Sequence, residues 1–159
     1  MNGTLYLAGY GNRPPEAFFA RLAPWRIAVA LDARLIPWGW HPLYRGEAFL
    51  RALEQEAGIG RAKHAARLGN LAKRDGGAMR LADPAAITDL VRVLRSGRSV
   101  VVICGCRNGA TCHRTMIGNL VSSAAPELAV VELAVVELAV VELAEPPAAT
   151  DEATKNSAE

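Results

Sequence analysis

Cys104, Cys106 and Cys112 are the only cysteines of the 159-residue chain, and with Arg107, His113 and Arg114 they fall between positions 104 and 114. A thiol becomes a nucleophile as its thiolate, a form that nearby cations and inward-facing N–H groups stabilise. Imidazole moves protons near neutral pH. Guanidinium grips phosphate or carboxylate through two parallel hydrogen bonds. Together these residue types point to an anion-binding, thiol-active site. Cys106 is the candidate nucleophile, His113 the candidate acid/base and Arg114 a candidate anion ligand. Cys-x-Cys-x5-Cys-His is not a usual zinc spacing, and neighbouring Cys112 and His113 do not easily converge on one ion. No metal and no cofactor is therefore expected. A redox pair between Cys112 and an earlier cysteine depends on geometry that spacing leaves open. Burial of Cys104 and Cys112 as small apolar groups is the structural alternative.

The flanking pattern says what must hold this cluster. Val100 to Ile103 is an unbroken apolar run suited to a buried strand. Met116, Ile117, Leu120 and Val121 follow at helical spacing. Strand, glycine-containing loop and helix aim backbone N–H groups and the positive end of a helix dipole at one point.

Earlier segments repeat that logic. Thr4 to Ala8 reads as a strand running into Gly9-Tyr10-Gly11-Asn12-Arg13-Pro14-Pro15, where the prolines open a helix ended by Pro24. Asn12 and Arg13 thus lie between a strand's carboxyl end and a helix's amino end, the rim where open α/β sheets bind ligands, although Asn12 equally suits a plain turn. Ile27 to Leu31 reads as a second strand ending in Asp32-Ala33-Arg34. Two residues apart on extended chain, Asp32 and Arg34 point the same way, either as a structural ion pair or with Asp32 aiming Arg34 at a ligand. Pro37 to Arg45 holds Trp38, Trp40, His41 and Tyr44, either a lid or stacking wall or rings packed onto the core. A helix is expected over 47–57.

Residues 61–80 carry six Lys/Arg against the single acid Asp75. Apart from a short strand near 64–68, the segment reads as a long basic loop forming a second wall of the site. Asp83 caps a helix running to about Arg95. Strands alternating with helices predict an α/β domain of Rossmann-like, three-layer form with a mostly parallel sheet.

Four of these motifs, in order, resemble the DUF488 family, small bacterial and archaeal α/β domains of uncharacterised function. They are Gly9-Tyr10-Gly11-Asn12-Arg13, Asp32-Ala33-Arg34 with Pro37, Leu68-Gly69-Asn70, and Cys104-Gly105-Cys106 leading to Cys112-His113-Arg114. The resemblance spans about residues 4–124. It implies the same fold and a site at these motifs, with no established reaction. Cys106 stands where the family commonly has Glu, so any role of that carboxylate is lost or passes to a thiol. Locally, Cys106 to Thr111 is similar to the Cys-x-x-Gly-x-Ser/Thr turn of rhodaneses, and Asp32-Ala33-Arg34 to their early Asp-x-Arg. The Cys-x5-Arg cradle of cysteine phosphatases is not met, because position 112 is Cys and the arginine is at 114.

The net charge of +2 conceals two parts. Residues 1–126 hold 17 Lys/Arg and 8 Asp/Glu, whereas 127–159 hold one Lys and eight acids. The division expected is an α/β domain over 1–126, a repeat over 127–144 and a disordered acidic tail over 145–159. ELAVV occurs at 127–131, 132–136 and 137–141, and ELA follows at 142. As a helix, a five-residue period turns about 140° per copy and leaves no apolar face. As one strand, eighteen residues would run about 60 Å. One copy is therefore expected to form the last strand of the sheet.

No membrane span or leader pattern is recognised, and clustered cysteines suit a reducing, cytoplasmic setting. The expected partner is an anionic small molecule or nucleotide, bound by Asn12, Arg13, Asp32, Arg34 and Arg114, with thiol-based transfer or hydrolysis at Cys106. From a different class, a non-catalytic nucleic-acid or nucleotide-binding module would use the basic 61–80 loop with Trp38 and Trp40. The sequence leaves oligomeric state open.

Overall fold

The computed structural model describes residues 1–107 and 111–133. Asn108 to Ala110 of the rhodanese-like turn, the repeat from 134 onward and the acidic tail lie outside the described residues. Five strands, β1 (Leu5–Gly9), β2 (Val29–Asp32), β3 (Arg61–His64), β4 (Val100–Cys104) and β5 (Val130–Glu132), form one sheet in the order β3-β2-β4-β1-β5. Every pairing is parallel, so the α/β, Rossmann-like expectation holds. β4 lies at the centre with Val100 to Cys104 all fully buried, as an apolar run covered on both faces must be.

Helices close both faces. α1 (Pro15–Leu22) and α2 (Gly46–Gln55) pack Phe18, Phe19, Leu22, Phe49 and Leu53 against Ala8, Ala30, Val101 and Ile103. The short α3 (Ala72–Asp75) precedes α4 (Ala86–Arg95). With α5 (His113–Ala124), α4 covers the opposite face, placing Ile87, Leu90, Leu94, Ile117 and Val121 on Leu5, Leu7, Val100 and Val102. Among the described residues no helix is long and apolar enough to cross a membrane.

Two boundaries differ from expectation. The second strand starts at Val29 and reaches Asp32, because its ladder partners are Val100 to Ile103 of β4. The 61–80 segment is shorter in loop than its polarity suggests. Arg61–His64 is the edge strand β3, followed by a 3-10 turn at Ala66–Leu68 and then α3. The short strand expected near 64–68 lies earlier, because an edge strand with Arg61, Lys63 and His64 exposed lacks the apolar alternation that marks a strand's limits, a composition that also discourages edge-to-edge pairing.

At the other edge, β5 runs from the end of the first pentad copy into Glu132, the first residue of the second. Val130 to Glu132 pair with Leu5 to Leu7, and the contact continues through Leu5 N–H to the Ala129 carbonyl (2.9 Å) and Leu133 N–H to the Leu7 carbonyl (2.8 Å). Five positions apart on extended chain, Leu128 and Leu133 enter the cores on opposite faces of the sheet.

Candidate functional site

Strand order places the site. β1 leaves through α1 toward β2, while its neighbour β4 leaves through α5 toward β5, in the opposite direction across the sheet. Where adjacent parallel strands part in this way, a crevice opens beyond their carboxyl ends. Gly9 and Tyr10 enter it from β1, Cys104 to Cys106 from β4, and Asp32 to Arg34 from β2.

Asp32 and Arg34 pair with each other. Arg34 Nε donates to Asp32 Oδ1 (2.8 Å) and Nη2 to Oδ2 (2.7 Å), with both side chains buried. The remaining Nη1 donates to the Tyr10 hydroxyl at 3.0 Å and to the Tyr44 carbonyl. Tyr10 and Tyr44 stack with centroids 3.9 Å apart, and the guanidinium lies 4.9 Å from the Phe49 ring. Burial works against the charge on Arg34, but the Asp32 hydrogen bonds and charge, helped by Tyr10, outweigh it and raise its pKa. Burial pushes the Tyr10 phenol up despite Arg34. This arginine is a buried strut rather than an open hand.

The three sulfurs meet although they come from the end of β4 and from the residue before α5. Their Sγ atoms all lie within 4.8 Å of one another, and Cys104 and Cys112 are 3.0 Å apart. Cys104 and Cys106 share one side of an extended segment, and Cys112 returns to them as the residue preceding α5. Arg114, in the first turn of α5, is buried behind the cluster. Its Nη1 donates to Cys104 Sγ (3.1 Å) and the Cys106 carbonyl (3.3 Å), and its Nε to Glu132 of β5 (2.8 Å). His113 Nε2 donates to the Ala33 carbonyl at 2.9 Å, which leaves Nδ1 as the ring's acceptor, 3.7 Å from Cys112 Sγ. Hydrogen bonds from Cys104 and Cys112 lower the Cys106 thiol to about 3; burial opposes this, and Lys73 and Arg114 add to it. Hydrogen bonds that Cys112 makes as a donor to Cys104 and Cys106, together with burial, push its own thiol up.

Two glycines allow this closeness. A Cβ on Gly105 would sit 2.7 Å from the Tyr10 hydroxyl, and one on Gly9 would meet Arg114 Nη1 and lie 2.6 Å from the Cys106 carbonyl.

A cavity of about 360 Å³ opens onto the cluster. Cys106, Gly105 and His113 form one side of it, Tyr10 and Arg34 its floor, and Leu35, Ile36, Trp38, Asn70 and Lys73 the remainder. Of the three thiols only Cys106 is not fully buried. The Asn70 side-chain oxygen accepts from the Ala72 and Arg80 N–H groups (3.1 and 3.2 Å), fixing the start of α3, which carries Lys73. Trp38 is 63% exposed, with the Arg45 guanidinium 3.8 Å from its ring centroid. Trp40 donates its indole N–H to the Gly11 carbonyl (2.8 Å).

Of the residues singled out from sequence, Cys106, His113 and Arg34 line this cavity, and Asp32 and Arg114 stand directly behind it. Asn12 and Arg13 are not among its lining residues; the Arg13 carbonyl accepts from the Tyr44 hydroxyl at 2.7 Å. The basic 61–80 segment divides. Lys73 faces the thiol cavity, whereas Arg61, Lys63 and Arg67 line a separate cavity of about 540 Å³ beside β3 and α4. Arg67 is paired there with Asp83 and Asp89 (both 2.8 Å). Sequence reasoning passed over Tyr10 and Lys73 as individual site residues. A tyrosine between two glycines carries no signal of its own, and Lys73 looked like any solvated lysine. Compared with known proteins, the chain matches no family model and no curated protein.

Proposed function

We propose that this chain carries out thiol-based group transfer or hydrolysis on a small phosphorylated or nucleotide-like anion, with Cys106 as nucleophile. The observation that carries this is placement: Cys106 is the one thiol of the cluster that is not fully buried, and it lines the same cavity as Lys73. A substrate anion would enter against Lys73 and the loop after β4, presenting its electrophilic atom to Cys106 Sγ. Arg34 and Arg114 contribute indirectly. Arg34 holds the Tyr10 floor, and Arg114 holds the Cys106 carbonyl and Cys104. His113 keeps one nitrogen committed to Ala33, so its proton-transfer role falls to Nδ1.

The test pairs labelling with two assays. In the reduced chain, iodoacetamide should modify Cys106 before Cys104 or Cys112, and inorganic phosphate should slow that modification. Sulfur transfer from thiosulfate to cyanide and hydrolysis of p-nitrophenyl phosphate sample rhodanese-type and phosphatase-type chemistry. Activity in either, lost in Cys106→Ser, supports the proposal; labelling of a buried cysteine first, with neither activity, overturns it.

A non-catalytic nucleotide- or nucleic-acid-binding module is the second reading, favoured by Trp38. Its exposed ring on the same cavity offers a base a stacking surface. Binding that survives Cys106→Ser and weakens steeply with salt would select it. The four ordered motifs support kinship with DUF488, and free thiols suit a reducing cytoplasm.

A further inference from the structure

Sulfur atoms gathered from two places in a chain invite more than one chemistry. Cys104, Cys106 and Cys112 present three sulfurs with no carboxylate in the group and no separation above 4.8 Å. We propose that this trio is a binding site for one monovalent thiophilic d10 cation, Cu(I), held by three thiolates. A metal about 2.3 Å from each of three sulfurs in a plane requires them roughly 4 Å apart. Cys104 and Cys112 stand 3.0 Å apart and no pair exceeds 4.8 Å, so the three sulfurs are close enough to share one ion, with the Cys104–Cys112 pair opening by about 1 Å.

Ligand number and charge choose the ion. Thiolates favour soft metals, Cu(I) and Zn(II) foremost. Structural zinc is almost always four-coordinate, and His113, the nearest further donor, falls outside the group whose ligand atoms converge. Three ligands suit Cu(I). One Cu(I) with three thiolates leaves a site of charge −2. The protein has cations set against that charge: Arg114 already donates to Cys104 Sγ, and Lys73 lines the cavity with Cys106. An N–H donor on a coordinating sulfur is a typical outer partner of a metal site. Two ligands are buried and the third faces the cavity, giving the ion an entrance and then a sheltered position. This goes beyond the group-transfer proposal and does not depend on it, though bound Cu(I) would take Cys106 out of reaction.

The experiment titrates the full, reduced chain under anaerobic conditions with Cu(I) held by the coloured chelator bicinchoninate. One Cu(I) per chain should be withdrawn from the chelator, copper X-ray absorption should show sulfur-only coordination by three neighbours, and the loaded chain should resist iodoacetamide at Cys106. Cys106→Ser, at the half-exposed position, should weaken binding by more than about tenfold, and Cys104→Ala likewise. Failure to compete with the chelator overturns the proposal. So does undiminished binding in Cys106→Ser, or Zn(II) displacing Cu(I) at equal concentration. The absorption measurement uses the unaltered chain, so it stands even where a buried-cysteine variant does not fold. A chain that withdraws copper but transfers no group defeats only the transfer reading; one that transfers but withdraws none defeats only this one.

Discussion

Arg34 has a carboxylate on one side and two tyrosines on the other, and each of its three guanidinium nitrogens donates inside the protein. Removing the charge of its partner leaves a buried guanidinium uncompensated, a change that costs about 3–5 kcal/mol. Asp32→Asn is therefore expected to lower stability to unfolding by that order, read from the midpoint of urea denaturation with the slope unchanged. A midpoint within error of the parent would mean that the pair is not the strut described. Half of this arrangement was legible in the sequence, because side chains two apart on a strand share a side. The other half was not: Tyr10 and Tyr44 arrive from other elements, and no local pattern announces them. Arg114 is similar. Its position beside Cys112 and His113 marked it, but its use on Cys104 and Glu132 depends on how α5 and β5 dock.

At the level of elements, the turn leaving β4 is shaped by what cannot be there. The Tyr10 ring is fixed by its stack on Tyr44 and its bond from Arg34, so it has no room to yield to a methyl group at position 105. Gly105→Ala should cost about 1–3 kcal/mol by overpacking and should alter the rate at which iodoacetamide reaches Cys106; parallel denaturation and labelling measurements check both. A variant matching the parent in both would show the turn to be slack. The alternation of strands and helices was readable from apolar periodicity, and β4 with α5 most clearly. Convergence of the three cysteines was not, since Cys-x-Cys-x5-Cys resembles no familiar ligand spacing and becomes a triangle only after the loop returns to α5. The edge strand β3 was expected a few residues late, near 64–68, because it has too little apolar character to mark its ends.

The whole molecule is set by its strand order, with β4 innermost, the crevice at the parting of β1 and β4, and β5 closing the far side of β1. That last strand is drawn from a tandem unit. Removing any one pentad between 127 and 141 regenerates the same sequence, so the shortened chain again offers ELAVVEL immediately after α5: two leucines for the two cores, two valines for the ladder and a glutamate for Arg114. Deleting 132–136 should leave the stability read from urea unfolding unchanged to within about 0.5 kcal/mol. Deleting 127–144 should lower it, because β1 loses a partner and Arg114 its counter-charge. For this domain, gain or loss of a whole unit by slippage in the coding DNA is silent at the level of folding, and the length of the repeat is free to drift without disturbing the thiols that Glu132, through Arg114, helps to hold.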